Sequence, residues 1–382
     1  MRNADLRTNP FRYGALALDE AFTDREAELA ELKTDVLNGQ DVVVFAPRRY
    51  GKTSLIWRAA QELVAEDVLI AQLDLMTVTT PAQLAAKLAK AIHDDIASAL
   101  FRARERLRPF QRLRLRPVVT LDPDDGSVGF TFDASAAPED VHATIERLLE
   151  LPAEIAAERR RPVALVFDEF QEVVTIDPAL PRLMRAVFQA QPEVAHVYLG
   201  SKRHTMERIF NDENEPFWRS ARSMELGIIE PAAFGPFIAE RFAATRRTIT
   251  TEGLAGVLHE TGGHPYATQE LCYFAWNETP AGGEADEDAV ARGLERVLRS
   301  EHAHFSRIWE ESARAQRLLL QALARRPGRP LTADYRRRHG LPGPSATQRA
   351  LEYLERGELV ARKSGEAWIA EPFLAAWLRR LA

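Results

Sequence analysis

The sequence predicts an α/β architecture: a parallel sheet with helices on both faces, followed by a helical lid and a winged-helix domain. Three observations predict it. Short apolar runs alternate with helical periodicity from residue 41 to about 230, the strand pattern then stops, and from about residue 312 the order becomes three helices and a hairpin. Strands separated by helices cannot pair as hairpins and are joined by crossovers, which makes their sheet parallel.

The elements follow in chain order. Arg25–Asn38 places Leu29, Leu32, Val36 and Leu37 on one helical face behind a Thr23-x-x-Glu26 capping box, and Gly39 stops it. Asp41-Val-Val-Val-Phe45 reads as a short buried strand. After a Gly/Pro/Arg turn, Lys52–Val64 is amphipathic, with Leu55, Ile56, Ala59, Leu63 and Val64 on one face. Val68–Leu75 is a second strand, and Pro81 to about Phe101 a long helix with Leu84, Leu88, Ile92 and Ile96 every four residues. Val118–Leu121 and Val128–Phe132 flank Asp124-Asp-Gly126 as an inserted hairpin. Pro138–Glu158 is helical, Pro162–Phe167 and Ala195–Leu199 are apolar strands, and Pro231–Arg299 is a set of short helices broken at Gly262-Gly263 and at Pro280–Gly283. Ala313–Ala324, Thr332–His339 and Ser345–Arg356, then Leu359–Lys363 and Ala367–Ala370 around Ser364-Gly365, have the order of a winged helix-turn-helix. The expected domains are 1–230 for the core, with an insertion at about 100–137, 231–300 for the lid, and 301–382 for the winged helix.

Composition narrows the function classes. Across 382 residues, 46% hydrophobic residues suffice for real cores. The single cysteine, Cys272, excludes an internal disulfide framework and a multi-cysteine zinc site, and suits a reducing cytoplasm. No run of about 18 apolar residues and no apolar leader segment is present, so neither membrane spanning nor secretion is expected. The net charge of −6 is unevenly spread: residues 312–382 hold 14 Lys+Arg against 6 Asp+Glu, a local +8, so an acidic body precedes a basic tail.

The strongest motif is Ala46-Pro47-Arg48-Arg49-Tyr50-Gly51-Lys52-Thr53-Ser54, which fits G-x-x-x-x-G-K-[ST] except for alanine in the first glycine's place. A strand precedes it and a helix begins at Gly51-Lys52. Successive backbone N–H groups and the helix N-terminus would cradle phosphates, Lys52 would reach the β- and γ-phosphates, and Thr53 would serve Mg²⁺. ATP and Mg²⁺ are therefore the expected cofactors. Alanine at 46 raises a question about turn geometry.

A second motif, Val163-Ala-Leu-Val-Phe-Asp168-Glu169, is a buried strand ending on adjacent carboxylates. Asp168 would hold Mg²⁺ through its water shell and Glu169 would polarise the attacking water, an arrangement that favours hydrolysis over phosphoryl transfer to another acceptor. Val197-Tyr-Leu-Gly-Ser201 is a further strand with a polar end. Two readings of Ser201 stand: a sensor of the γ-phosphate or lytic water, or the N-cap of the helix that follows. Arg203, Arg219 and Arg222 are candidate arginine fingers, or solvated and paired arginines. In Thr261-Gly-Gly-His-Pro-Tyr266 the glycines and proline impose a turn before a helix; either the turn is its whole meaning, or His264 and Pro265 lie against the nucleotide and report its state.

FTDREAEL at 22–29, APRRYGKTSL at 46–55, LVFDEFQEV at 165–173, YLGS at 198–201, TGGHPYATQEL at 261–271 and EPFLAAWLRR at 371–380 together resemble the archaeal-type ATPase family. This is a STAND-branch, AAA+-like family of P-loop NTPases, similar to replication initiators of the origin-recognition type. The resemblance covers nearly the whole chain, and implies that Arg25 lies near the adenine or ribose, that Gln171 extends the Walker B strand toward the site, and that His264-Pro265 is the lid's nucleotide contact. Ala46 departs from the family's usual glycine.

For the output of such a protein three readings stay open: an ATP-driven switch acting through the winged helix, with homo-oligomers among its arrangements; a DNA-binding regulator whose ATPase is regulatory; and a nucleotide-binding scaffold with little turnover. Double-stranded DNA would be met by Thr347, Gln348 and Arg349 near the start of the recognition helix and by Arg362 and Lys363 in the wing. Glu352, Glu355 and Glu358 oppose this, and a protein-docking role is the alternative. The run Arg102, Arg104, Arg106, Arg108, Arg112, Arg114 and Arg116 would line a nucleic-acid path, or form a solvated face or a docking strip for an acidic partner.

Overall fold

The computed structural model describes residues 8–14, 23–97, 107–122 and 127–381, arranged as two compact units. The first comprises Arg25–Ala46 and Lys52–Leu226; the second comprises Gly227–Ala382 together with Met1–Asp24 and the loop Pro47–Gly51.

The first unit runs α1 (Glu26–Leu37), β1 (Val42–Phe45), α2 (Lys52–Ala65), β2 (Leu69–Asp74), α3 (Pro81–Ala91), β3 (Val118–Leu121), β4 (Val128–Thr131), α4 (Pro138–Arg159), β5 (Val163–Asp168), α5 (Val173–Ile176), α6 (Leu180–Phe188), β6 (Val194–Gly200), α7 (Arg203–Asn211) and β7 (Arg222–Glu225). Five strands form a parallel sheet in the order β2-β5-β6-β1-β7, flanked by helices. All four residues of β1 and all seven of β6 are buried, as expected of central strands covered on both faces. Register sets the chemistry at the C-terminal edge: Asp74 lies opposite Asp168, and Phe45 opposite Gly200. Beneath that edge the ring of Tyr198 sits 4.6 Å from Phe170 and 5.1 Å from Phe210, anchoring the turn that follows β5. β3 and β4 form a separate antiparallel hairpin, and its Phe130 packs 5.1 Å from Phe110. The turn at Asp124–Gly126 and Arg102, Arg104 and Arg106 lie outside the described residues.

The second unit is α8 (Pro231–Ala243), β8 (Thr248–Ile249), α9 (Thr251–Thr261), α10 (Pro265–Asn277), β9 (Glu284–Ala285), α11 (Glu287–Ser300), α12 (His302–Glu311), α13 (Arg314–Arg325), α14 (Ala333–His339), α15 (Pro344–Arg356), β10 (Val360–Lys363), β11 (Glu366–Ile369) and α16 (Pro372–Leu381). Lid and winged helix share one hydrophobic core, from Phe234 and Leu271 to Leu319, Leu354 and Trp377. Among the described residues no helix is long and apolar enough to cross a membrane.

Several expectations need correction. The capping box at Thr23 does not form: Arg25 occupies the N-cap without a side-chain cap bond, and its backbone N–H donates to the Glu26 carboxylate instead. The helix expected to reach Phe101 ends as an α-helix at Ala91 and continues as a π-helical turn, Ile92–Ala97. Strands do not vanish after residue 230, because Thr248–Ile249 pairs in parallel with Glu284–Ala285. β7 was not expected, since Arg-Ser-Met-Glu has no apolar run and buries only Met224.

Candidate active site

The loop Ala46–Thr53 leaves the first unit at the end of β1 and returns to it at the start of α2. Ala46 is 4% exposed, and its backbone is not in the left-handed region, whereas Arg49 (φ +67°) and Gly51 (φ +86°) are. The position that departs from the glycine motif therefore does not need glycine's conformational freedom. Lys52, buried, donates its ammonium to the Ala46 carbonyl oxygen at 2.7 Å, which curls the side chain over the loop. In the same first turn of α2, Ser54 is buried and Thr53 is exposed.

Around Lys52 stand carboxyl groups from two neighbouring strands. Thr53 Oγ1 lies 3.4 Å from Asp168 Oδ2, a long contact for an O–H···O bond. Burial raises the Asp168 carboxyl above the usual range; the Glu169 N–H, donating to Oδ1 at 2.9 Å, and the charge of Lys52 oppose this, while Glu169 and Asp74 add to it. Asp74 is a participant that sequence reading missed, because its place beside Asp168 follows only from the pairing of β2 with β5. Crowded, partly desolvated oxygens of this kind are what a bound cation relieves. A hydroxyl and a carboxylate as the donor set fit Mg²⁺, which keeps several waters and takes few protein ligands. Among the described residues no cluster of three or more His, Cys, Asp or Glu forms a protein-only metal cage.

Glu169 is held separately. Its backbone is left-handed (φ +52°), and Oε2 accepts from Ser201 Oγ at 2.7 Å and from Gln171 Nε2 at 2.5 Å. A strained non-glycine residue whose side chain is fixed by two donors is preorganised. Ser201, 2% exposed, spends its hydroxyl on Glu169; Lys202 is the N-cap of α7, and makes no side-chain cap bond. Gln171 does not extend the strand, which ends at Asp168; it lies in the 3-10 turn Phe170–Glu172 and reaches Glu169 from there. Arg25 is buried and pairs with Glu28 at 2.8 Å. Among the arginines considered as fingers, Arg203 pairs with Glu207 and Glu225, Arg222 pairs with Asp35 and Glu31, and Arg219 stacks over Trp218.

In the second unit the loop residues Pro47–Gly51 have other partners. Arg48 pairs with Glu358 at 3.2 Å, and Arg49 with Glu371 at 3.5 Å while lying 4.3 Å above the Tyr266 ring. Tyr50, buried, meets the His264 ring edge-on at 4.6 Å, and Pro47 is half-buried. His264 is the N-cap of α10: Nδ1 accepts from the Ala267 N–H at 3.3 Å, and Pro265 takes the first helical position. Burial pulls the His264 imidazole down to about 4, so it is neutral at pH 7. Glu270, 3% exposed, is pushed up to about 7 by burial and by Glu301 and Glu371, with Arg49 opposing. The grouping of these carboxyls with Arg49 joins residues hundreds of positions apart and left no local signal.

At the expected DNA face the structure corrects one assignment. Thr347 is 1% exposed and donates to the Pro342 carbonyl at 3.0 Å, so it supports the turn and is not presented to a base edge. Gln348 donates to Glu352, Arg362 pairs with Glu355, and Arg349 and Lys363 are exposed.

Comparison with known proteins agrees with this architecture. Residues 303–380 match the family model described as a probable winged helix domain. Among curated proteins none matches the chain in sequence. Among solved structures, the Walker-type ATPase PABY2304 of Pyrococcus abyssi is similar with a TM-score of 0.67 and 16% identity, covering 97% of this chain and 99% of its own. The ORC2 protein of Aeropyrum pernix in its ADPNP–ADP complexes is similar with a TM-score of 0.55 and 13% identity, covering 97% of each chain. The resemblance read from the sequence holds at the level of fold: the chain has the fold of a Walker-type P-loop ATPase and ends in a winged helix domain.

Proposed function

We propose that the chain binds ATP with Mg²⁺ at Ala46–Thr53 and hydrolyses it, working as an AAA+/STAND-type molecular switch whose output is the winged helix. The working parts are the core 1–230, the lid 231–300 and the winged helix 301–382. The observation that carries this reading is the fixed Glu169. Its carboxyl group is held by Ser201 and Gln171 next to Asp168, which Thr53 approaches, while Lys52 bonds the Ala46 carbonyl, an arrangement that supports metal and phosphate binding on that side. Lys52 would exchange the Ala46 carbonyl for phosphate oxygens, the loop N–H groups would hold the β-phosphate, Thr53 and Asp168 would hold Mg²⁺, and Glu169 would take the proton of the attacking water. Bound Mg²⁺ supplies neutralisation of phosphate charge. A P. abyssi relative described as a Walker-type ATPase and an A. pernix relative seen with ADPNP and ADP support the nucleotide.

The lid contact is read as a reporter. Tyr50 and His264 pack together, and Arg48 and Arg49 pair with glutamates of the winged-helix module, so phosphate arriving at the loop would compete for those arginines. That competition gives the ligand a differential affinity for two arrangements, which a switch requires. Lys52→Ala tests the site: calorimetric titration should show ATP affinity weakened by at least about tenfold, with turnover lost. Unaltered ATP affinity in this variant would remove the reading.

A DNA-facing output is the second reading, favoured by the local +8 of residues 312–382.

A further inference from the structure

The winged helix carries its positive charge away from the helix expected to read DNA. Residues 344–358, which contain α15, hold two arginines against three glutamates, a net −1; residues 325–340 hold six arginines against one aspartate, a net +5. The arginines of α15 and the wing are partly spent within the module: Arg362 pairs with Glu355 at 2.7 Å, and Arg356 Nε donates to the Glu352 carbonyl at 3.3 Å.

The corner between α13 and α14 is built differently. Arg325, Arg326, Arg329, Arg337 and Arg338 are all exposed, and among the described residues only Arg337 has a carboxylate partner, Asp334. The corner is stiff. Thr332 Oγ1, which caps α14, donates to the Arg329 carbonyl at 2.8 Å, and Tyr335 Oη donates to the Arg326 carbonyl at 2.6 Å. The Tyr335 ring lies 4.3 Å from that of His339, and Gly328 is bridged to Ala367 of the wing. The arginines therefore share one frame, and they crowd one another: the His339 imidazole is held below its usual value, by burial first and then by Arg338, Arg325 and Arg326.

We propose that this α13–α14 corner, and not α15, is the surface by which the module grips the phosphate backbone of duplex nucleic acid. The inference rests on the reading of the winged helix as the output module. Every cation in the corner is arginine, and a planar guanidinium fork engages phosphate oxygens two at a time, where lysine would offer a point charge. Contacts of this kind position a protein on a duplex without reading its sequence, so binding is steeply salt-dependent and indifferent to sequence.

The test uses the full chain and fluorescence anisotropy with two labelled duplexes of unrelated sequence, titrated over a range of NaCl. The wild type should bind both duplexes equally, with log K falling against log salt at a slope of about −3 to −4 if about four phosphates are neutralised. Changing Arg325, Arg326, Arg337 and Arg338 to Gln together should weaken binding at least about tenfold and abolish most of that slope, while Arg349→Ala with Lys363→Ala should change it less than about twofold. All six positions are exposed, and the melting temperature of each variant checks that it folds. Loss of binding in the Arg349/Lys363 variant with retention in the corner variant would overturn the proposal in favour of α15. Binding of polyglutamate but not duplex would overturn it in favour of an acidic protein partner, and binding of neither would refute it outright. ATP turnover measured on the same samples separates the two readings: failure of the Lys52→Ala comparison strikes the ATPase and leaves the DNA result standing.

Discussion

At the scale of single residues, the proposed site separates side chains that would meet phosphate or metal from those that would aim them. Ser201 belongs to the second group, because its hydroxyl goes to Glu169. Ser201→Ala should therefore lower kcat by about tenfold and leave ATP affinity within about twofold, a split that steady-state kinetics beside equilibrium binding will read. Lys52, Asp168 and Glu169 were legible in the sequence because motif spacing fixes them to a strand end and a helix start. The Ser201–Glu169 bond was not, since it depends on β6 lying beside β5. Glu270 was equally hidden, and its raised carboxyl predicts a stability that depends on pH. Its folded value of about 7 lies above the ordinary 4.5, so the stability that the protonated form contributes is complete below pH 4.5 and is lost as pH rises through 7. Glu270→Gln removes that loss. Thermal melts should show the variant more stable than wild type at pH 8, by roughly 2–3 kcal/mol, with the difference vanishing toward pH 4.5.

At the scale of elements, the turn before α10 shows why the sequence places two glycines there. Gly263 has φ +74°, and a Cβ built on it would stand 2.2 Å from the Ile229 carbonyl oxygen, while the Ile229 N–H donates back to the Gly263 carbonyl at 2.9 Å. Gly262 is also left-handed (φ +56°), yet a Cβ there meets nothing within 4 Å. Gly263→Ala should thus cost about 2–4 kcal/mol in urea unfolding, and Gly262→Ala only about 1 kcal/mol. Equal costs would show that backbone conformation alone governs the turn. The long apolar strands and amphipathic helices were readable from periodicity. β7 was not, because its stability comes from pairing with β1, where Val42–Phe45 align with Arg222–Glu225, and not from its own side chains. The two-residue pair β8–β9 is too short for any pattern to show.

At the scale of the whole molecule, the parallel sheet, the helical lid and the winged helix were all legible, since each has its own period and punctuation. What the sequence did not disclose is that Pro47–Gly51 packs with residues 227–382, leaving its flanks Ala46 and Lys52 in the first unit. Contacts such as the Arg49–Glu371 ion pair join residues 322 positions apart, which no local pattern can signal. Hydrolysis at the Asp168–Glu169 edge of the sheet is tested by ATP turnover of Glu169→Gln beside wild type, with ATP binding measured in parallel. Turnover should fall by at least about a hundredfold with ATP still bound at close to wild-type affinity. Turnover unchanged by the substitution would contradict it.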